Sequence, residues 1–298
     1  MAGKIDLQEL FLILTLCQSI LRGKYVQLET NAISKLERSE GRAEVAFVKR
    51  EDSTQVAHLY QSGCLRVLIP KNYKSFPDAV IINTAGGITG GDNLEIKADI
   101  GEKSEVCLTT QTAERIYKSG YGFGKIGVEL NLRKNSKLDW LPQETILFDN
   151  SAVKRSIKVN MSGQSKLFMV ESIVLGRRAM GETLTNCLFS DQWKIFRDNM
   201  IVDMEALKLV EPSQLSGSAS LGSNTALATI LYVAKDAEER LQQMRSLLNN
   251  FNLFSAASAW NGKLIARIAS ESPYSLRKVL IYVISKFRGT DLPRVWLM

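Results

Sequence analysis

Apolar and polar positions alternate along most of this chain. Leu65, Val67 and Ile69 alternate with polar neighbours, as do Leu94, Ile96, Ala98 and Ile100. Ile126, Val128, Leu130 and Leu132 repeat the pattern, and so do Ile157, Val159 and Met161. Successive side chains of a strand point to opposite faces, so a period of two predicts strands with one face buried. Gly, Asn, Asp, Ser and Lys separate the runs, and Asp149-Asn150-Ser151 and Met161-Ser162-Gly163 carry turn chemistry. From about Glu44 to Val233 this spacing predicts a many-stranded, antiparallel, mainly β fold without an internal repeat. Lys166 to Leu175 differs in being nearly continuous apolar, which predicts a strand covered on both faces, with Glu171 inside it. A carboxylate there is costly unless it is paired or protonated.

Towards the C-terminus the period lengthens. Ala237, Leu241, Met244, Leu248 and Phe251 recur at spacings that predict an amphipathic helix. A second helix is predicted from Ser272 as N-cap and Pro273 as first residue, with Leu276, Val279, Leu280, Val283 and Phe287 as its stripe and Gly289 as its end. Lys263 to Ala269 reads as a strand between them. The expected fold is therefore one mainly β domain over residues 41–298, with a small α/β region of about two helices near the C-terminus. Residues 1–40 are expected to form an N-terminal extension. Its apolar run, Leu10 to Leu16, is shorter than the roughly 20 residues that span a bilayer. It follows Lys4, Asp6 and Glu9, with no small-residue cleavage site soon after Leu21, so the expected location is the cytoplasm, without membrane association.

Composition narrows the chemistry. The 298 residues, 45% hydrophobic and 23% charged, suffice for a sizeable core without disulfides. Cys17, Cys64, Cys107 and Cys187 form no C-x-x-C pair, which argues against a zinc ribbon or a redox motif. The single histidine, His58, reads as a half-exposed strand residue and excludes an H-E-x-x-H protease. Gly122-x-Gly124-x-x-Gly127 leads into period-two sequence, so it reads as a β-turn and not a dinucleotide loop. The run from Gly86 to Asp92 lacks the G-K-[ST] ending of a P-loop. A net charge of +7 favours an acidic partner, either protein or nucleic acid. Glu144 and Asp149 keep open a β-rich hydrolase, and the positive charge keeps open a nucleic-acid-binding β-domain, although aromatic residues do not interleave with Lys and Arg.

Four ordered segments are more particular. The stretch Asn83-Thr84-Ala85-Gly86-Gly87-Ile88-Thr89-Gly90-Gly91-Asp92 closely resembles the glycine-rich segment of the urease accessory protein UreD family, called UreH in some bacteria. The similarity continues through Thr109–Tyr117 and Leu138–Phe148, then Glu171 and Leu175–Glu182, in family order over about Tyr60 to Met298. Weaker echoes are Arg267-Ile268-Ala269 and Leu292-Pro293-Arg294-Val295-Trp296. Residues 1 to about 40 show no such likeness, and Asp78-Ala79 stands where the family often has a histidine.

The resemblance implies a non-enzymatic maturation factor with a β-sheet-rich, helix-like stack and a few α-helices. It implies binding to apo-urease together with UreF and the GTPase UreG. It also implies an internal passage that conducts Ni²⁺ to urease, with no tightly bound cofactor. A conduit needs exchangeable oxygen ligands, since thiolate or multi-imidazole cages retain the metal. Asp92, Glu144, Asp149, Glu171 and Glu182 are the nickel-path candidates within the resembling blocks, with Glu171 foremost. The alternatives are an ion pair of Glu171 with Arg177 or Arg178, and a turn in which Asp92 caps Gly90 and Gly91. Gly86, Gly87, Gly90 and Gly91 are expected to permit left-handed backbone and close strand approach. Arg115, Tyr117 and Trp140 are interface candidates, with core packing the alternative for Trp140.

Overall fold

A computed structural model describes residues 37–298 apart from 73, 178, 179, 216, 218 and 219. The expected N-terminal extension thus falls almost wholly outside the described residues, and so does Arg178.

The chain enters through the hairpin β1 (Glu40–Arg50) and β2 (Ser53–Gly63), followed by β3 (Leu65–Leu68) and β4 (Asp78–Asn83). It then alternates between two sheets. β5 (Asn93–Ile100) joins the first sheet, and β6 (Glu105–Thr110) with β7 (Glu114–Ile116) the second. β8 (Gly124–Leu132) returns to the first, and β9 (Lys137–Leu141) with β10 (Thr145–Leu147) to the second. β11 (Ser151–Met161), β12 (Lys166–Leu175) and β13 (Cys187–Arg197) continue the alternation. β14 (Met200–Leu209) folds back on β13, and β15 (Ala226–Val233), α1 (Leu241–Leu248), β16 (Phe254–Trp260), β17 (Lys263–Ser270) and α2 (Pro273–Arg288) complete the chain. The first sheet runs β14-β13-β11-β8-β5-β1-β2, and the second runs β16-β17-β15-β12-β9-β6-β4-β3 with β7 and β10 extending it.

The mainly β class with two C-terminal helices is as expected, but the antiparallel pairing is not. β5, β8, β11 and β13 are mutually parallel, with Ile96, Val128, Ile157 and Trp193 in one register row, and β4, β6, β9 and β12 are parallel too. Antiparallel pairs occur at the ends of each sheet. Alternation reports which face is buried and is silent on the direction of the neighbouring strand. Here a coil that visits each sheet once per turn makes successive strands of a sheet parallel.

That coil is a structural repeat that the sequence did not betray. Its turns at one end, Gly101–Ser104, Arg133–Ser136 and Ser162–Ser165, each close with the serine amide donating to the carbonyl three residues back, at 3.1, 3.1 and 3.2 Å. A coil needs only a one-faced strand and a tight turn, so the residues filling it are free to differ.

The space between the sheets holds one apolar cluster, including Phe47, Ile100, Leu130, Val159 and Phe189. The outer face of the second sheet holds another, covered by the helices. β12 belongs to both, which is why its sequence is continuously apolar. On its helix-facing side the Phe168 and Phe287 rings stack at 5.5 Å. Arg288 of α2 donates from Nε to the buried Asp139 Oδ2 at 2.7 Å, fastening the helix to the sheet. α2 keeps its expected caps: Ser272 Oγ accepts from the Ser275 amide, and Gly289 is left-handed with φ 70°. α1 is shorter than its periodicity suggested, covering Leu241–Leu248 of the expected Ala237–Phe251.

Candidate functional site: a polar belt between the sheets

Three charged side chains occupy inward positions on largely apolar strand faces. Arg155 follows Val153 and precedes Ile157 on the buried face of β11, and Asp191 lies likewise between Phe189 and Trp193 on β13. Glu171 faces them from β12. Arg155 donates from Nε and Nη2 to both oxygens of Asp191 at 2.9 and 2.7 Å, and from Nη1 to Glu171 Oε2 at 2.6 Å. Trp140 Nε1 donates to the other Glu171 oxygen at 2.7 Å, and Trp193 Nε1 to Asp191 at 3.0 Å. Burial pushes the Glu171 carboxyl above the ordinary carboxylate range, against the opposing pull of Arg155. With both carboxylates ionised, one guanidinium leaves the trio with one net negative charge. Glu171 is therefore in a buried ion pair, but its partner is Arg155 and not Arg177, which pairs with Glu182.

The belt extends both ways from this trio. Arg155 Nη1 also donates to Thr145 Oγ1 at 3.2 Å, and Thr145 shares its register row with Glu114 on β7. Glu114 Oε1 accepts from Asn83 Nδ2 at 3.1 Å, and burial pushes its carboxyl up to about 7. In the other direction Glu171 is opposite Thr229, and Thr229 is opposite Arg267. A cavity of about 470 Å³ opens there, lined by Glu171, Asp191, Trp193, Leu207, Thr229 and Arg267 among others. A second cavity of about 600 Å³ shares Glu205, Ala256 and Arg267 with it and lies along β14, β16 and β17. Two ion pairs join these strands: Lys263 with Asp203 at 2.7 Å and Arg267 with Glu205 at 2.5 Å. Among the described residues no three His, Cys, Asp or Glu side chains gather closely enough to hold a metal ion.

The other nominated carboxylates lie outside this belt, and only Asp149 and Glu182 among them meet. Asp92 is buried and caps backbone, as its turn chemistry suggested, but its oxygens accept from the amides of Ser39 and Thr89, not from Gly90 and Gly91. Glu144 pairs with Arg277 of α2 at 3.3 Å. It precedes β10 and Asp149 follows it, so about 15 Å of strand separates the two, beyond the reach of a paired acid and base. Asp149 accepts from the amides of Asn186 and Thr185 at 2.9 and 2.7 Å, and these bonds hold it below the usual carboxylate range. Glu182 accepts from the Asp149 amide at 3.2 Å and pairs with Arg177, which lowers its pKa as well.

The resembling segments nevertheless converge. The crossings from the second sheet to the first occur at the same end of the coil, so Gly86–Gly91, Tyr117, Phe148, Asp149, Arg177 and Glu182 form one rim. Arg177 lies 3.9 Å over the Phe148 ring, whose centroid is 5.0 Å from that of Tyr117, and Tyr117 donates from its hydroxyl to the Gly86 carbonyl at 3.1 Å. Arg115 is exposed and Tyr117 half-buried beside it. Trp140 is 3% exposed and faces Glu171, so it is a core residue and not part of an interface; its indole N–H is satisfied only inside the belt. Gly86 and Gly91 take left-handed backbone, with φ of 76° and 93°. Gly90 is required for close approach: a Cβ there would lie 2.1 Å from both Ser119 Oγ and the Tyr121 carbonyl oxygen. Gly90→Ala is expected to cost about 1–3 kcal/mol in chemical denaturation. An unchanged midpoint would show that the rim yields freely.

Sequence reasoning overlooked Arg155, Asp191 and Glu114 as site residues. The signal was present for the first two: each places a charge at the inward parity of an alternating strand.

The fold is a stacked two-sheet coil whose apolar interior is threaded by a partly ionic belt. Comparison with known proteins then gives its kind. Residues 39–297 match the family model described as UreD urease accessory protein. Curated relatives named "Urease accessory protein UreD" include one from Rhizobium johnstonii, 39% identical over 263 residues that make up 87% of this chain and 96% of the relative. One from Dinoroseobacter shibae is 41% identical over 271 residues, 90% of this chain and 96% of the relative. One from Agrobacterium fabrum is 35% identical over 263 residues, 87% and 92% respectively. The chain belongs to the UreD urease accessory protein family. The match begins at residue 39, earlier than the Tyr60 from which the likeness was legible by motif.

Proposed function

We propose that this chain acts in urease maturation as a scaffold that binds apo-urease together with UreF and the GTPase UreG, and that Ni²⁺ passes through it on the way to urease. Membership of the accessory family supports the maturation role. The observation that supports conduction is the belt from Asn83 and Glu114 through Thr145, Arg155, Glu171 and Asp191 to Thr229 and Arg267, which interrupts an apolar interior and borders a cavity of about 470 Å³.

Ni²⁺ is cargo in this reading and no resident cofactor is invoked. Carboxylate oxygens bind a borderline divalent ion loosely, so an ion held by Glu171 and Asp191 exchanges readily, and affinity no tighter than micromolar is expected. When both carboxylates are ionised the net negative charge of the trio favours entry of a cation, while Arg155 limits its residence. Asp92, Glu144, Asp149 and Glu182 serve in capping and bracing, which leaves Glu171 as the first contact to test. No described helix is long and apolar enough to cross a membrane.

The test is co-purification with UreF, UreG and apo-urease from the same source, followed by activation with Ni²⁺, bicarbonate and GTP. Glu171→Gln removes the charge and keeps one acceptor oxygen, so either Trp140 or Arg155 retains its bond while the amide NH2 faces the other. It is expected to leave the complex intact and to slow activation about tenfold. Full activation through an intact complex would remove Glu171 from the path. Failure of the wild-type chain to join any complex would overturn the whole reading.

A further inference from the structure

The outer face of the first sheet carries a separate feature. Outward positions on β8, β11, β13 and β14 supply Lys125, Lys154, Lys158, Lys194 and Lys208, all exposed. Register sets Lys154 directly opposite Lys125, and Lys158 directly opposite Lys194, while Lys208 stands opposite Ser190. Like charges directly opposite on one face of a sheet destabilise it. Among the described residues none of the five enters an ion pair. Glu129, in the row between Lys97 and Lys158, is the one acidic residue on these four strands' outward face. Lys154 Nζ sits 3.7 Å from the Phe123 ring centroid. Exposed Met204, opposite Lys194, adds an apolar contact. At about 4.8 Å between strands the field is roughly 15 Å across.

We infer that this lysine field is a docking surface for the acidic face of a protein partner. Two cross-strand lysine pairs that weaken the isolated sheet become favourable once carboxylates face them, and such contacts act mainly on association rate and specificity. The rest of the same face favours a protein over a nucleic acid. β1 and β5 present Glu44, Glu95 and Asp99 outward beside Arg42 and Lys97, so the positive excess ends at β8; a continuous polyanion crossing the sheet gains nothing there, whereas a bounded acidic patch fits the field. The inference stands apart from the nickel path, since it uses the opposite face of the first sheet.

The test is binding of a fluorescently labelled L-glutamate peptide of about five residues, which matches the width of the field, to the full chain at low ionic strength, followed by anisotropy. Wild-type binding is expected to weaken with added salt, and K154E/K194E to weaken it about tenfold. K278E/K286E, which reverses two exposed lysines of α2, is expected to change it less than about twofold. K154E/K194E is also expected to melt no lower than wild type, because K154E faces Lys125 and K194E faces Lys158. Equal losses in the two double variants, or no loss in K154E/K194E, would overturn the inference. So would tighter binding of a DNA duplex or of anionic vesicles that is itself lost in K154E/K194E, since either would assign the field to another class of partner.

Discussion

Arg155→Met is expected to lower the unfolding free energy by about 3–5 kcal/mol at neutral pH, the largest effect of any single substitution considered for this chain. The reason is asymmetry. The guanidinium satisfies Glu171 once and Asp191 twice, and all three side chains are buried. Without it two carboxylates face each other across the sandwich with only Trp140 and Trp193 as donors. The loss should shrink as pH falls, because protonating the stranded carboxylates removes the charge that burial penalises. Adding Glu171→Gln and Asp191→Asn to Arg155→Met should recover part of the stability, since the three act as one network. Urea denaturation at pH 7 and pH 5 decides it. A loss below about 1 kcal/mol at pH 7 would mean that the trio is wet and its charges solvated.

The second large effect concerns Glu114. Its carboxyl is raised by burial to about 7, with the Asn83 side-chain donor and Arg115 opposing the shift less strongly. A group whose folded pKa exceeds its unfolded one binds more protons when folded. The wild-type chain should therefore lose stability as pH rises from about 4.5 to about 7, and the loss should be complete above that. Glu114→Gln keeps an acceptor for Asn83 and abolishes the titration. At pH 8 the variant is expected to be more stable than wild type by on the order of 2 kcal/mol, less than the full shift converts to because the residue is partly exposed. At pH 4.5 the two should coincide. A constant difference across this range would show that Glu114 ionises in the folded chain as it does unfolded.

How much of this was legible before the structure depends on the range of the interaction involved. The caps of α2 were readable in Ser272, Pro273 and Gly289 because capping is settled within one turn of helix. The double burial of β12 was readable because ten residues report on both of its faces. Glu171 stood out for the same reason, as a charge in an apolar run. Its partner did not, because Arg155 is fixed by how β11 faces β12 across the sandwich, and the nearer Arg177 was the natural guess. Asp149 and Glu182, nominated separately, turned out to brace one corner, since both follow strands that end at the same level of the coil. Trp140 could not be sorted between core and surface by its type, because an indole serves either until its N–H partner is known.

The sequence by itself determined which side of each strand is buried, where α2 starts and stops, and which four segments carry the family likeness. Those are local matters of parity, capping and turn residues, and alternation needs no neighbour to be read. Only the tertiary structure decided that neighbouring strands are parallel, that the likeness blocks meet on one rim, and that Glu114, Arg155, Glu171 and Asp191 line up between the sheets. Strand direction and register come from the closing of each coil on the one before it. That closure pairs residues some thirty positions apart, and no periodicity within a single strand contains it.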